Sequence, residues 1–174
     1  MDDAAWEQQL AAVWASIDEY TGDDPDGAGE VTFRALIDAL AAELAPGSAV
    51  ADFERACSFD STGHSDRAVP LYRQALATGL SGLRRRRAVI QMSSSLRNLG
   101  DPQTGVDALT AELATTSDDL DDAARAVLAL CLTDLGRERE AVAIVVEALA
   151  AHLPRYQRSM ANYARALRAP SSDE

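Results

Sequence analysis

The sequence of 174 residues predicts an all-α fold, an array of stacked helix–turn–helix pairs. The main observation is a pattern that recurs around Gly63, Gly100 and Gly136, at spacings of 37 and then 36 residues. The second observation is a set of helix start signals in the same register. An internal period of this length is typical of stacked units that cannot bury their apolar faces alone.

Each copy of the pattern places small and bulky residues at matching offsets on both sides of its glycine. The copies read Ala56, Phe59, Ala68, Tyr72 and Ala75; Ser93, Leu96, Gly105 and Leu109; and Ala129, Leu132, Ala141, Val145 and Ala148. Small residues let two antiparallel helices approach closely, and a bulky residue one turn away fills the groove between them. The order therefore predicts two packed helices in every copy.

Local signals predict where several helices begin. Asp101 before Pro102 is typical of an N-cap followed by proline at the first helical position. Pro154 is expected to open a final helix in the same way, at about residues 155 to 168, and the acids at 118 to 122 suit another helix start. Pro70 lies about one turn inside its helix and predicts a mild kink or a later start.

This pattern resembles the tetratricopeptide repeat, over about residues 48 to 153, and a divergent bacterial subgroup of it. The resemblance implies a right-handed superhelical array with three helix pairs and a C-terminal capping helix within 47–169, followed by a disordered tail at 170–174. The chain departs from the family where an aromatic residue usually stands early in the first helix. Asp52, Val89 and Arg125 occupy those positions.

The N-terminal third, residues 1–46, lacks the pattern but predicts two amphipathic helices, at 3 to 20 and 32 to 44. Trp6, Leu10 and Trp14 mark the first, and Phe33 and Ile37 the second. One interpretation is a helical hairpin that caps the array, since terminal units of repeat proteins are atypical. The other is a separate recognition hairpin that uses Trp6 and Trp14.

The charge of the chain argues against some classes of binding partner. A formal net charge of −12 argues against nucleic acid, which needs a basic surface. Residues 1 to 30 hold nine acids and no cation, whereas 84 to 100 hold five arginines and 154 to 169 four, both without an acid. No apolar run approaches 18 residues and no basic leader precedes an apolar core, so we expect neither a membrane span nor a secretory signal, and a cytoplasmic protein.

Nothing in the sequence predicts an enzyme, a metal site or a cofactor. Cys57 and Cys131 are isolated on apolar helices and are expected to be buried free thiols. His64 and His152 stand singly near helix ends, and no cysteine or histidine pair has zinc spacing. We therefore expect a non-catalytic interaction module.

The resemblance implies that the first helix of each pair lines a concave groove where ligands bind. On the first helix of the second pair, four polar residues share one face, and Arg97 lies beside that face. On the last helix, three more polar residues share one face. Phe53, from the first pair, would add an apolar wall to the groove. The members are Arg87, Gln91, Ser94 and Asn98, then Arg158, Asn162 and Arg165. Guanidinium and amide groups suit carboxylates and peptide backbones, so we predict a protein or peptide ligand, acidic or with a C-terminal carboxylate.

Two alternatives to the groove remain. The arginines could instead form a structural network with the acids at 118 to 122, although such surface pairs contribute only about 0 to 1 kcal/mol each. The chain could also be a structural protein whose main role is homo-oligomerisation, for example a homodimer. Trp6, Trp14, Val127 and Leu130 would then form the contact.

Overall fold

The computed structural model describes residues 3–22 and 26–168, and the tail predicted at 170–174 lies outside them. Ten α-helices form in these described residues. They are α1 (Asp3–Ala15), α2 (Ile17–Thr21), α3 (Ala28–Ala42), α4 (Ala49–Asp60), α5 (Ser65–Ala77), α6 (Gly82–Asn98), α7 (Pro102–Thr115), α8 (Asp121–Asp134), α9 (Glu138–Ala150) and α10 (Gln157–Arg168). The part of the chain that the structure describes holds no β-strand, so the predicted all-α class is confirmed.

The predicted helix–turn–helix architecture is confirmed, and the three repeats of the pattern lie on α4–α5, α6–α7 and α8–α9. Their turn glycines Gly63, Gly100 and Gly136 have φ of 78°, 83° and 72°, the left-handed conformation that glycine adopts without strain. In every turn the residue after the glycine donates its backbone N–H to the carbonyl of the residue four positions before the glycine. These bonds are His64 to Phe59, Asp101 to Leu96 and Arg137 to Leu132, each 2.9 Å.

The small positions of the pattern lie where neighbouring helices touch. Ala68 and Ser93 are fully buried, and Gly105 is buried as well. A Cβ atom at Gly105 would lie 3.0 Å from Cys131 Sγ and 3.2 Å from the Ser93 carbonyl oxygen. Glycine therefore permits a close approach of α7 to both α6 and α8.

The structure confirms some of the predicted helix starts and contradicts others. Asp101 caps α7, since its Oδ1 accepts from the Thr104 N–H at 3.3 Å, and α8 begins at Asp121 within the acidic run. The prediction that Pro154 opens the last helix is wrong, because Tyr156 has φ of 71° and α10 begins after it. The later start predicted from Pro70 is also wrong, since α5 begins five residues earlier, at Ser65.

The chain divides into two compact units, Met1–Ala88 and Val89–Glu174, and the boundary falls within α6. In the first unit the helix predicted over 3 to 20 is divided into α1 and α2 at Ser16. The Ser16 hydroxyl donates to the Val13 carbonyl at 2.9 Å, a side-chain bond of the kind that competes with helix continuation. The core of the first unit joins α1 and α3 through Trp6, Leu10, Phe33 and Ile37.

The core of the second unit contains buried residues of α7 and α8. Leu128, Cys131 and Leu132 of α8 are buried, and Leu109 of α7 is fully buried. The helix α10 packs on α9, and its only buried residue is Ala164. The rest of α10 is therefore partly or fully exposed.

Candidate functional site

Arg87, the first residue of the predicted groove, lies on the surface of the first unit. Its guanidinium carbon is 5.3 Å from the centre of the Phe53 ring, within cation–π range. Phe53 itself is completely buried and packs near Tyr72. Phe53 therefore packs beneath the Arg87 guanidinium and does not itself line an open groove.

A cavity of about 500 Å³ lies beside Arg87. It is lined by the start of α4, by the connection between α5 and α6, and by the first turns of α6: Ser48, Ala49, Val50, Gly79, Leu80, Ser81, Leu83, Arg84 and Arg87. Its size falls in the range of small-ligand sites. In the part of the chain described, no carboxylate forms an ion pair with Arg87, so its charge is available to a ligand.

Arg84, one turn before Arg87, is already engaged. Its terminal nitrogens donate to Glu7 at 2.9 and 2.7 Å, and its Nε donates to Glu54 Oε1 at 3.0 Å. Glu54 is 2% exposed, and its other oxygen accepts from Trp14 Nε1 at 3.0 Å. The bond to Glu7 raises the pKa of Arg84 further above its ordinary value, so Arg84 holds α1, α4 and α6 together as a fixed cation.

The predicted residues in the second half of α6 have different surroundings. Gln91 and Ser94 are half-buried, and Asn98 is exposed. Arg97 pairs with Asp134 of α8: Nε lies 2.7 Å from Oδ2 without good hydrogen-bond alignment, and Nη2 donates to Oδ1 at 3.4 Å. Arg97 is therefore a packing contact between helices of the second unit.

Among the acids at 118 to 122, considered as partners of the α6 arginines, Asp122 has partners within the second unit. Asp122 accepts from Arg125 at 2.7 Å and lies 2.9 Å from His152 Nε2. The contact with His152, followed by that with Arg125, lowers the pKa of Asp122. Asp122 therefore links α8 to itself and to His152, which lies beyond the end of α9.

The last three predicted residues lie on α10. Arg158, Asn162 and Arg165 are all exposed, and Arg165 Nη2 donates to Asn162 Oδ1. Their i, i+4, i+7 spacing places them on one face of this helix, as the sequence predicts.

The residues proposed for self-association divide into two groups. Trp6 is buried and donates through Nε1 to the Leu40 carbonyl at 2.9 Å, and Trp14 is committed to Glu54 and to an edge-on contact with Phe33. Both tryptophans therefore hold the N-terminal helices together. Leu130, by contrast, is 48% exposed and lines an apolar cavity of about 410 Å³ between α8 and α9.

The two thiols are buried and unbridged, as predicted. Burial raises the pKa of the Cys57 thiol to about 12, and burial also raises the pKa of Cys131. The Tyr72 hydroxyl contacts Cys57 Sγ at 3.6 Å and Asp60 Oδ2 at 3.2 Å. Since a nucleophilic cysteine needs a lowered pKa, neither thiol has the surroundings of a catalytic group.

The described residues offer neither a cluster suited to a metal ion nor a helix suited to a membrane. Within residues 3–22 and 26–168, no three or more histidine, cysteine or acidic side chains converge as a group suited to a metal ion. None of the helices in these ranges combines the length and the apolar character that crossing a membrane requires.

Comparison with known proteins identifies the repeats. The family model described as "Tetratrico peptide repeat" matches residues 49–167, which include all three helix pairs and α10. The solved structure of YrrB, described as a TPR protein with an unusual peptide-binding site, aligns over 91% of this chain and 93% of that chain, with 16% identity and a TM-score of 0.48. No curated protein matches. The helix pairs, their turn glycines and the family match together establish that the chain belongs to the tetratricopeptide repeat family.

Proposed function

We propose that this protein is a non-catalytic adaptor that binds a peptide segment of another protein, and that Arg87 is the central contact. The family membership supports an interaction module, because stacked helix pairs provide extended binding surfaces. The observation that carries the proposal is the exposed, unpaired guanidinium of Arg87 beside a cavity of about 500 Å³. The segment 1–46 serves as the cap of the array, and 47–169 supplies the repeats.

The ligand class follows from the chemistry around Arg87. A guanidinium forms paired hydrogen bonds with a carboxylate, and its contact with the Phe53 ring holds it in place. The helix α4 begins at the same cavity, where Ser48 caps it by accepting from the Ala51 N–H at 3.3 Å. The positive end of that helix adds to the attraction for an anion. The expected ligand is an acidic side chain or a C-terminal carboxylate.

The remaining groove residues belong to the proposal with smaller roles. Gln91, Ser94 and Asn98 lie on the part of α6 that belongs to the second unit, where their side chains offer hydrogen-bonding groups to a peptide backbone. Arg97 is held by Asp134, so its contribution to binding is expected to be small.

The test is affinity capture from a native cell extract with the full chain, the Arg87→Ala variant and the Arg73→Ala variant. Arg73 is an exposed arginine of α5, so its removal changes the net charge equally. A protein retained by wild type and by Arg73→Ala but lost with Arg87→Ala supports the proposal. Equal retention by all three proteins contradicts it.

A further inference from the structure

The last described helix, α10, presents an unusual exposed face. Tyr156 and Tyr163 are 74% and 64% exposed, and Tyr156 adopts φ of 71°, a conformation that costs a non-glycine residue free energy. Two largely exposed tyrosine rings, Tyr163 on α10 and Tyr156 just before the helix, indicate a surface that another molecule covers.

The same helix is cationic in an acidic protein. Residues 154 to 168 hold four arginines and no acid, while the whole chain has a net charge of −12. Arg168 bonds to Glu147. Among the described residues no carboxylate pairs with Arg155, Arg158 or Arg165, and all three are exposed. The face of α10 that holds Arg158 and Arg165 therefore carries guanidinium groups without a carboxylate partner, so its own partner should be acidic.

The chain itself contains a matching acidic surface. Residues 1 to 30 hold nine acids and no arginine or lysine. Four of these acids, Asp3, Asp18, Glu19 and Asp26, are exposed, and no cation within the described ranges pairs with them. The other exposed residues of α1 besides Asp3 and Glu7 have small or amide side chains, namely Ala4, Ala5, Gln8, Gln9, Ala11, Ala12 and Ala15. Small side chains let another helix approach this side of α1 closely.

We propose that the face of α10 binds the α1–α2 surface of a second copy of this chain, head to tail. The occupant is a second copy because each chain carries both the cationic and the acidic surface, so every copy supplies what the next one needs. A two-fold contact of α10 with α10 would instead oppose guanidinium groups of like charge. A head-to-tail contact is heterologous and produces a ring or an open chain of molecules.

The test is the molar mass of the full chain in solution, measured by light scattering over a concentration series at two salt concentrations. At about 0.05 M salt the mass should rise with concentration above the 18.5 kDa of one chain. At about 1 M salt, where charges are screened within about 3 Å, it should fall toward that of one chain. Arg158→Glu should abolish the increase, whereas the charge-matched Arg73→Glu on α5 should leave it unchanged.

A charge swap distinguishes this contact from a general loss of folding. The Asp18→Arg, Glu19→Arg variant should not assemble alone but should assemble when mixed with Arg158→Glu, because each restores the opposite charge that the other lacks. A wild type that stays at 18.5 kDa at every concentration overturns the proposal. So does assembly that survives Arg158→Glu, or a dimer that is insensitive to salt and depends on Leu130 of the apolar cavity between α8 and α9.

Discussion

At the scale of single residues, Glu54 is the charged group on which the first unit depends most. It is almost fully buried, and both of its oxygens are used, one by Arg84 and one by Trp14. A buried carboxylate is stable only when its hydrogen bonds are complete. Three helices are therefore joined at one side chain.

Removing this carboxylate should weaken the fold measurably. We expect Glu54→Ala to lower the free energy of unfolding by about 2 kcal/mol, because the Trp14 N–H and part of Arg84 lose their acceptor in the interior. The control is Glu7→Ala, which removes the exposed partner of the same arginine and should cost less than about 1 kcal/mol. Urea unfolding followed by circular dichroism gives both values, and equal effects would show that burial of Glu54 is unimportant.

The thiols give a second prediction at this scale. Cys57 and Cys131 are buried, and the pKa of Cys57 is raised to about 12, so the native protein at pH 8 holds almost no thiolate at Cys57. N-ethylmaleimide should modify the native protein at least about a hundredfold more slowly than the protein unfolded in guanidinium. Mass spectrometry counts the modified thiols. Rapid labelling of Cys57 in the folded state would be incompatible with its position in the core.

Gly105 offers a test of close helix packing. An added methyl group would gain up to about 1 kcal/mol of helix propensity but would press on Cys131 and on the Ser93 carbonyl. We expect Gly105→Ala to be less stable than wild type. In a Cys131→Ala background the penalty should shrink by about 0.5 to 1 kcal/mol, since one of the two contacts is gone. Additive effects in this double-mutant cycle would mean that the two positions do not touch.

At the scale of elements, the helix ends show what the sequence predicts well. The turns at Gly63, Gly100 and Gly136 could be predicted because a left-handed turn residue is a local requirement. The break at Ser16 could not be, because a serine at that position is also compatible with a continuous helix. The start of α10 could not be predicted, because nothing about a tyrosine indicates that Tyr156 adopts a left-handed backbone conformation.

The cap of α7 gives a prediction for an element. Asp101→Ala should lower the free energy of unfolding by about 1 kcal/mol, because its side chain accepts from the Thr104 N–H at the start of the helix. Asp107, also exposed on α7 and hydrogen-bonded to Gln103, serves as the control. Thermal unfolding should show a clear decrease for Asp101→Ala and almost none for Asp107→Ala. The reverse order would remove the role assigned to the cap.

At the scale of the whole molecule, the sequence predicted the all-α class and the repeat family but only part of the surroundings of the candidate site. The i, i+4, i+7 spacing identified a partly exposed polar face on α6 and an exposed one on α10, because periodicity reports which residues share a helix face. It could not show that Arg97 pairs with Asp134, or that Phe53 lies beneath Arg87, since both depend on contacts between helices. Arg87 stands out only when these contacts are known.

The measurement that tests the central claim most directly is binding of the full chain to an array of acidic peptides. Each peptide is present with a free C-terminal carboxylate and as its C-terminal amide, and wild type is compared with Arg87→Ala and Arg73→Ala. We predict that wild type retains a subset of the free-carboxylate or acidic peptides and that Arg87→Ala reduces this binding at least about tenfold, equal to about 1.4 kcal/mol. Retention of the same peptides by Arg87→Ala, or of none by wild type, would contradict carboxylate recognition at Arg87.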